Sequence, residues 1–131
     1  MESKIQLLVR STHIDVNRHV NNTKYLEYLE WAREDFYEKA GFGYEQLLEL
    51  GVITVMVNVN LNYRKEALYN DLLTVITRPI EAHNRSFSVG QTIYREVDDA
   101  LIADAVVTLA TIDPNLRKAV PIPAALKAIF T

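Results

Sequence analysis

The sequence of 131 residues contains no cysteine, only four glycines and four prolines, and no long apolar run. The lack of cysteine excludes disulfides, a thiol nucleophile and cysteine-ligated metal sites. No apolar segment approaches the roughly 20 residues of a membrane span, and the N-terminal residues lack the apolar core of a signal peptide. We therefore expect a cytoplasmic protein without a membrane partner, whose chemistry relies on carboxylates, imidazoles, amides, hydroxyls, lysine or backbone groups.

The sequence also lacks an excess of positive charge, because its formal net charge is −3. A nucleic-acid-binding protein usually shows a basic field, so we expect no nucleic-acid partner. The length suits one domain with its own core, and the 49% hydrophobic content is ordinary for a globular protein. We predict a single domain over residues 1–131.

Hydrophobic periodicity predicts a strand at residues 5–9, followed by one long helix. From residue 23 to residue 40 there is no Gly or Pro, and apolar side chains recur at steps of three and four. Asn22 or Thr23 is suited to cap the start of this helix, and Gly41 to follow its end. Glu30 and Arg33 are spaced to pair along one helix face. A shorter helix is predicted at residues 44–50.

After Gly51 the pattern predicts four successive strands. Residues 54–63 alternate between apolar and polar side chains, and further strands fit residues 72–80, 86–95 and 101–112, the last two joined by a hairpin at residues 98–100. Residues 124–130 are suited to a last short helix. Short joins make neighbouring strands antiparallel, so the sequence predicts an α+β fold in which a five-stranded sheet wraps around the long helix.

Acidic, amide and imidazole groups are concentrated in residues 13–25, just before the predicted long helix. Backbone N–H groups at a helix start are free, and the positive end of the helix dipole lies there, so a developing oxyanion is stabilised at that point. A carboxylate a few residues upstream, Asp15, can attack a carbonyl or activate water to do so. The segment is suited to ester or thioester hydrolysis without serine or cysteine.

The run D-x-N-x-H-V-N-N-x-x-Y at residues 15–25 resembles the hotdog-fold acyl thioesterases. It is similar both to the 4-hydroxybenzoyl-CoA thioesterase-like enzymes and to the plant acyl-carrier-protein thioesterases. Weaker similarity covers nearly the whole chain, at Glu30-x-x-Arg33, Tyr63, residues 70–71, 85–87, 117–118 and 122–123. Two glycines that are common in this family are replaced, by Arg18 and Asn70.

The resemblance implies a role for several residues of this segment. Asp15 is the expected catalytic carboxylate, as nucleophile or general base, and the backbone N–H of Asn22 the expected oxyanion donor. Asn17 and His19 match polar positions that orient water or the carboxylate in the plant-type enzymes. Those enzymes also place an acid later in the chain, for which Glu45 and Glu49 are the candidates.

The resemblance also implies an acyl-CoA site between two subunits of a homodimer whose sheets join edge to edge, with a dimer of dimers as a further possibility. The expected substrate contacts are Tyr25, Tyr63, Arg85, Ser86, Arg117 and Lys118. The aromatic residues border the acyl pocket, and the cations contact CoA phosphates, which arginine binds with two hydrogen bonds.

Each of these residues has a simpler explanation as well. Asp15 suits a turn, and His19 suits a structural hydrogen bond. His13, Asp15 and His19 include groups that bind transition metals, but no further histidine lies close in sequence and His83 falls in a strand join, so we expect neither a metal nor another cofactor. Three asparagines at positions 58, 60 and 62 are unusual for a strand, and indicate either a solvated sheet face or a wet subunit contact.

The combined pattern predicts an acyl-CoA thioesterase that releases a free acid and CoA. The main alternative is an acyl-carrier-protein thioesterase, although the acidic chain is poorly suited to dock an acidic carrier. A non-catalytic acyl-binding protein of the same fold is a second alternative, against which the intact Asp15 motif weighs. A dehydratase fits less well, because its catalytic His and acidic group stand elsewhere.

Overall fold

Five antiparallel strands form one sheet in the order β1-β3-β4-β5-β2 in the computed structural model, which describes residues 1–130. The strands are β1 (Ser3–Leu8), β2 (Ile53–Tyr63), β3 (Leu72–Ala82), β4 (Ser86–Arg95) and β5 (Ala100–Ile112). The helices are α1 (Asn22–Ala40), α2 (Tyr44–Glu49) and α3 (Ala124–Lys127). This architecture confirms the predicted α+β fold and places β1 and β2 at the two edges of the sheet.

Helix α1 has 19 residues and packs against one face of the sheet. Its start is capped by Asn21, whose side-chain oxygen accepts hydrogen bonds from the backbone N–H and the hydroxyl of Thr23. The prediction of Asn22 or Thr23 as the cap was therefore wrong, by one and two residues respectively. Gly41 ends the helix in the left-handed conformation with φ of 84°, which glycine adopts without a steric penalty.

The core lies between α1 and the inner face of the sheet. On β4, Phe87, Val89 and Ile93 alternate toward the helix and are fully buried, together with Tyr28, Leu29 and Phe36 of α1. Burying a large apolar side chain contributes about 1.5–3 kcal/mol relative to leaving it in water, so this alternation fixes which face of β4 meets the helix.

A buried polar network crosses the same interface. Gln91 on β4 is fully buried and donates hydrogen bonds to the carbonyl of Leu29 and the hydroxyl of Thr77, each with a length of 2.9 Å. Its side-chain oxygen accepts a hydrogen bond of 3.1 Å from Arg33, which is 8% exposed. The expected pairing of Arg33 with Glu30 is replaced by this contact across the core.

Strand β2 departs from the regular alternation that its sequence predicts. A bulge between Met56 and Asn58 places Val57 out of register, and this side chain is 57% exposed. Beyond the bulge, Asn58, Asn60 and Asn62 occupy the outer, exposed face of the sheet. There the side-chain amide of Asn62 donates a hydrogen bond of 3.1 Å to the carboxylate of Asp104. Because β2 is an edge strand, the bulge interrupts pairing only on one side.

The remaining predictions differ from the structure mainly at element ends. Strand β1 lies two residues earlier than predicted at its start, and β3 continues to Ala82 through a bulge between Pro79 and Glu81. The last predicted helix is split into α3 and a 3-10 turn, Ala128–Phe130. None of the helices within residues 1–130 is long and apolar enough to cross a membrane.

Candidate active site

A tight hairpin precedes α1 and carries the motif residues. Ile14 pairs with Val20, and within the hairpin the N–H of Asp15 donates a hydrogen bond of 3.0 Å to the carbonyl of His19. Arg18 occupies the tip with a positive φ of 64°, and Asn70 likewise has φ of 69°. The family that the sequence resembles commonly has glycine at these two positions. Arg18 and Asn70 adopt the left-handed conformation that favours glycine, at a cost of about 1 kcal/mol for a residue with a Cβ.

The Asp15 carboxylate has a turn-forming contact and an open side. Its Oδ1 accepts a hydrogen bond of 2.9 Å from the backbone N–H of Asn17, and the side chain is 20% exposed. The turn explanation for Asp15 is thus correct, and it leaves the second carboxylate oxygen free for chemistry. Asn17 is exposed, and only its backbone contacts the carboxylate.

The His19 imidazole lies between two carboxylates. Its Nε2 is 3.7 Å from Oδ1 of Asp15, and its Nδ1 is 3.4 Å from Oε2 of Glu66. Sequence reasoning missed Glu66. Glu45 and Glu49, the candidates for a later acid, lie on α2 with exposed side chains and are not brought to His19.

The start of α1 presents the backbone group expected of an oxyanion donor. Asn22 is the first helical residue, so its N–H has no acceptor within the helix. Its carbonyl accepts a hydrogen bond of 3.1 Å from the hydroxyl of Tyr63, at the end of β2. This contact holds the end of the edge strand against the helix start.

A cleft of about 440 Å³ opens at this point. Its lining includes His19, Asn22, Tyr25 and Tyr63. Asp15 does not line the cleft, and its carboxylate lies 3.7 Å from the His19 imidazole. Tyr25 is buried, its ring packs edge-to-face on that of Tyr63 at 5.3 Å, and burial raises the pKa of its hydroxyl. The structure thus brings His19, Asn22, Tyr25 and Tyr63 together around one cleft, with Asp15 next to His19.

His13 supports this hairpin from behind. Its Nδ1 accepts a hydrogen bond of 3.2 Å from the backbone N–H of Arg10 and lies 2.7 Å from the hydroxyl of Tyr28. Burial, followed by the charge of Lys24, lowers the pKa of His13. The Nδ1 atom of His13 therefore already has two hydrogen-bond partners within the chain. No cluster of three or more metal-binding side chains occurs in the part of the chain that the structure describes.

Four of the expected substrate contacts, Arg85, Ser86, Arg117 and Lys118, lie at the end of the sheet opposite to the cleft. Ser86 begins β4, and Arg85 precedes it, whereas Arg95 at the end of β4 reaches the carbonyl of Glu66. Ten residues of strand separate these ends by roughly 30 Å. Arg117 and Lys118 lie in the turn after β5, at the same end as Arg85. Within one chain, none of these four residues reaches Asp15.

A second, larger cavity of about 630 Å³ lies between the far half of α1 and the start of β2. Arg33 and Tyr37 line it, along with Glu30, Glu34 and Glu38. Burial raises the pKa of Tyr37 to about 12 and lowers that of Arg33.

Comparison with known proteins places this geometry in context. A model of the thioesterase-like superfamily matches residues 9–130. The long-chain acyl-CoA thioesterase FadM of Escherichia coli is 36% identical over 122 residues, covering 93% of this chain and 92% of the relative. The crystal structure of YbaW, a probable thioesterase from Escherichia coli, has a TM-score of 0.86 at 34% identity and 98% coverage of each chain. A putative esterase of Aquifex aeolicus is 28% identical over 86 residues, 66% of each chain.

Proposed function

The chain belongs to the thioesterase-like superfamily, and we propose on that basis that it is an acyl-CoA thioesterase, which hydrolyses an acyl-CoA to a free carboxylic acid and CoA. The observation that carries this assignment is the Asp15 carboxylate 3.7 Å from His19, which lines a cleft at the start of α1, where the N–H of Asn22 is unpaired within the helix. The name of FadM makes long-chain acyl-CoA the first substrate class to test.

The proposed chemistry uses the positive end of α1 and one carboxylate. The thioester carbonyl oxygen accepts a hydrogen bond from the N–H of Asn22, which stabilises the negative charge that develops on that oxygen. Asp15 either removes a proton from the attacking water or attacks the carbonyl itself, giving an anhydride that water then hydrolyses. Both routes release the CoA thiolate, which takes up a proton. His19 lies where it can orient the water or the Asp15 carboxylate.

A homodimer that pairs through the exposed edge of β2 is part of this proposal. Two copies of β2 paired antiparallel about a twofold axis bring the start of one strand beside the end of the other. The start of β2 pairs with Ile112, and Ala119, just after Lys118, forms a bridge to the same residue. The turn with Arg117 and Lys118 of one subunit thereby approaches the Asp15 cleft of its partner, which accounts for their distance from Asp15 within one chain.

The proposal is tested by measuring thiol release from short, medium, long and aromatic acyl-CoAs, with the same acyl groups on an acyl carrier protein. We expect turnover of at least one acyl-CoA series with a higher kcat/KM than on the matched carrier substrate. Faster hydrolysis of the carrier substrates would instead assign an acyl-carrier-protein thioesterase. Acyl-CoA binding without turnover across the panel would show a binding protein.

A further inference from the structure

The larger cavity, of about 630 Å³ between α1, α2 and the start of β2, shares no lining residue with the cleft at the start of α1. Its volume is within the range of about 300–1,000 Å³ that is usual for small-molecule sites. The side chains that line it from α2, β2 and β5 include the apolar Leu47, Ile53, Met56 and Leu109. Met56 is 47% exposed although it is a large apolar residue. Residues 1–130 therefore leave this apolar surface open.

Helix α1 supplies the charged part of the lining. Glu30, Glu34 and Glu38 follow one another at steps of about one helical turn, and all three are exposed, so their carboxylates can stay in water when the cavity is filled. Together with Arg33 they give this side a net negative charge. The cavity is therefore suited to an uncharged aliphatic group, and a ligand that ends in a carboxylate is repelled from it.

The proposed dimer places this cavity next to the cleft of the partner subunit. Within one chain, the cavity lies at the start of β2 and the cleft at its end, roughly 30 Å apart along the strand. Antiparallel pairing of two β2 strands about a twofold axis brings the start of one strand beside the end of the other. Met56 and Tyr63 both pair with buried residues of β5, so they lie on the same, helix-bearing face of the sheet. The two openings are therefore neighbours on one face.

Leu47 occupies a fixed position in the wall of this cavity. It is the buried residue of the six-residue α2 and is 4% exposed. Its N–H donates a hydrogen bond of 3.0 Å to the carbonyl of Gly43, and its carbonyl accepts one of 3.0 Å from the N–H of Val52. Gly51, with φ of 81°, makes the turn that allows the second of these contacts. Leu47 can move aside for a longer ligand only if these hydrogen bonds break.

We propose that this cavity receives the distal part of a methyl-terminated acyl chain whose thioester is bound at the cleft of the partner subunit, and that Leu47 determines how long this chain can be. The inference rests on the proposed thioesterase function and its dimer. One methylene more or less in a fitted apolar pocket changes kcat/KM by about 10- to 200-fold. A single side chain in the wall is therefore enough to shift the preferred chain length.

Substitutions at Leu47 should change the chain-length preference in opposite directions. Leu47→Phe fills part of the cavity, so kcat/KM for the longest acyl-CoA that the wild type hydrolyses well should fall about ten-fold, while kcat/KM for short chains stays within about two-fold. Leu47→Ala enlarges the cavity and should favour longer chains. Met56→Phe narrows the cavity from the β2 side at a half-exposed position, where the core is not disturbed, and should act as Leu47→Phe does.

Leu48 provides a matched control on the same helix. It is the neighbour of Leu47, is 40% exposed and is not part of the cavity lining. Leu48→Phe and Leu48→Ala therefore make the same chemical changes outside the cavity and should keep the chain-length profile of the wild type. Urea unfolding of each variant shows that a changed profile belongs to a folded protein.

The test is thiol release by the full chain from saturated acyl-CoAs, from butanoyl-CoA to hexadecanoyl-CoA in steps of two carbons, and from a matched acyl-CoA with a terminal carboxylate. The inference predicts a shift to shorter chains in Leu47→Phe and Met56→Phe, a shift to longer chains in Leu47→Ala, and a kcat/KM at least about ten-fold lower for the carboxylated chain. An unchanged profile in Leu47→Phe and Met56→Phe, or an equal loss at every chain length, would overturn the inference and leave the proposed function in place. A wild type that hydrolyses no acyl-CoA, aliphatic or aromatic, would refute the proposed function and this inference with it.

Discussion

The guanidinium of Arg33 on α1 donates a hydrogen bond of 3.1 Å to the side-chain oxygen of Gln91 in the middle of β4. Gln91 uses its amide N–H groups on Leu29 and Thr77, and its oxygen is thereby turned toward Arg33. Because buried polar groups are costly when unpaired, this contact fixes how α1 sits on the sheet, and with it the position of the helix start at the Asp15 cleft.

Replacement of Gln91 by leucine tests that network. Gln91→Leu leaves the buried Arg33 guanidinium without its acceptor, and we expect the free energy of unfolding to fall by about 2–3 kcal/mol. Gln6→Leu, on the exposed face of β1, is the matched control and should change it by less than about 0.5 kcal/mol. Urea denaturation measures both, and equal stabilities of the two variants would contradict the role of the network.

Stability should depend on pH through His13. Burial, then the charge of Lys24, lowers its pKa in the folded protein from 6.5, so the unfolded chain binds the proton more strongly. The contribution of the neutral imidazole is complete above pH 6.5 and is lost as the pH falls through the lower, folded pKa. We expect the unfolding free energy of the wild type to fall more steeply than that of His13→Gln between pH 6.5 and about pH 5.

The control for this pH dependence is the exposed His83. His83→Gln removes an imidazole that lies 66% exposed in a turn, away from the hairpin that carries His13. Denaturation curves at three pH values measure the slopes. Identical slopes for the wild type and His13→Gln would show that the inward hydrogen bonds of His13 do not depend on its neutral form.

The basic turn after β5 should contribute to CoA binding across the proposed dimer. A double variant, Arg117→Ala with Lys118→Ala, is expected to raise KM for acyl-CoA about five-fold, with kcat little changed, because charged phosphate contacts act on binding. The matched acyl-N-acetylcysteamine thioester lacks the phosphates, so its kcat/KM should be the same for both enzymes. An equal loss on both substrates would mean that the turn affects the site in another way.

Local sequence patterns predicted most of the fold. The ends of β4 and the position of Gly41 at the end of α1 follow from alternation and helix-stop signals, and the structure confirms both. The helix cap could not be placed to the residue, because three successive residues, Asn21 to Thr23, all suit it. In the structure Asn21 takes the cap position, and its side chain accepts a hydrogen bond from the N–H of Thr23. The bulge at Val57 is invisible in a strand whose sequence alternates regularly.

The candidate site likewise contains residues that the sequence predicted and one that it did not. Residues 15–25 are close in sequence, so the motif and its resemblance are enough to group Asp15, His19 and Asn22 in one site. Glu66 reaches His19 from a segment 47 positions later, through the contacts of Ala67 with Val20 and Tyr25. A contact of that kind depends on tertiary packing, which periodicity and spacing do not encode. The roles of all these residues stay predictions.

The most direct measurement of the central claim is thiol release by Asp15→Asn on the best acyl-CoA substrate. The substitution keeps the shape and the acceptor oxygen that holds the turn at Asn17, and removes only the negative charge and its basicity. The account predicts a fall in kcat of at least about 100-fold with the fold unchanged, as general-base and nucleophilic catalysis require. A kcat near the wild-type value would contradict Asp15 as the catalytic carboxylate.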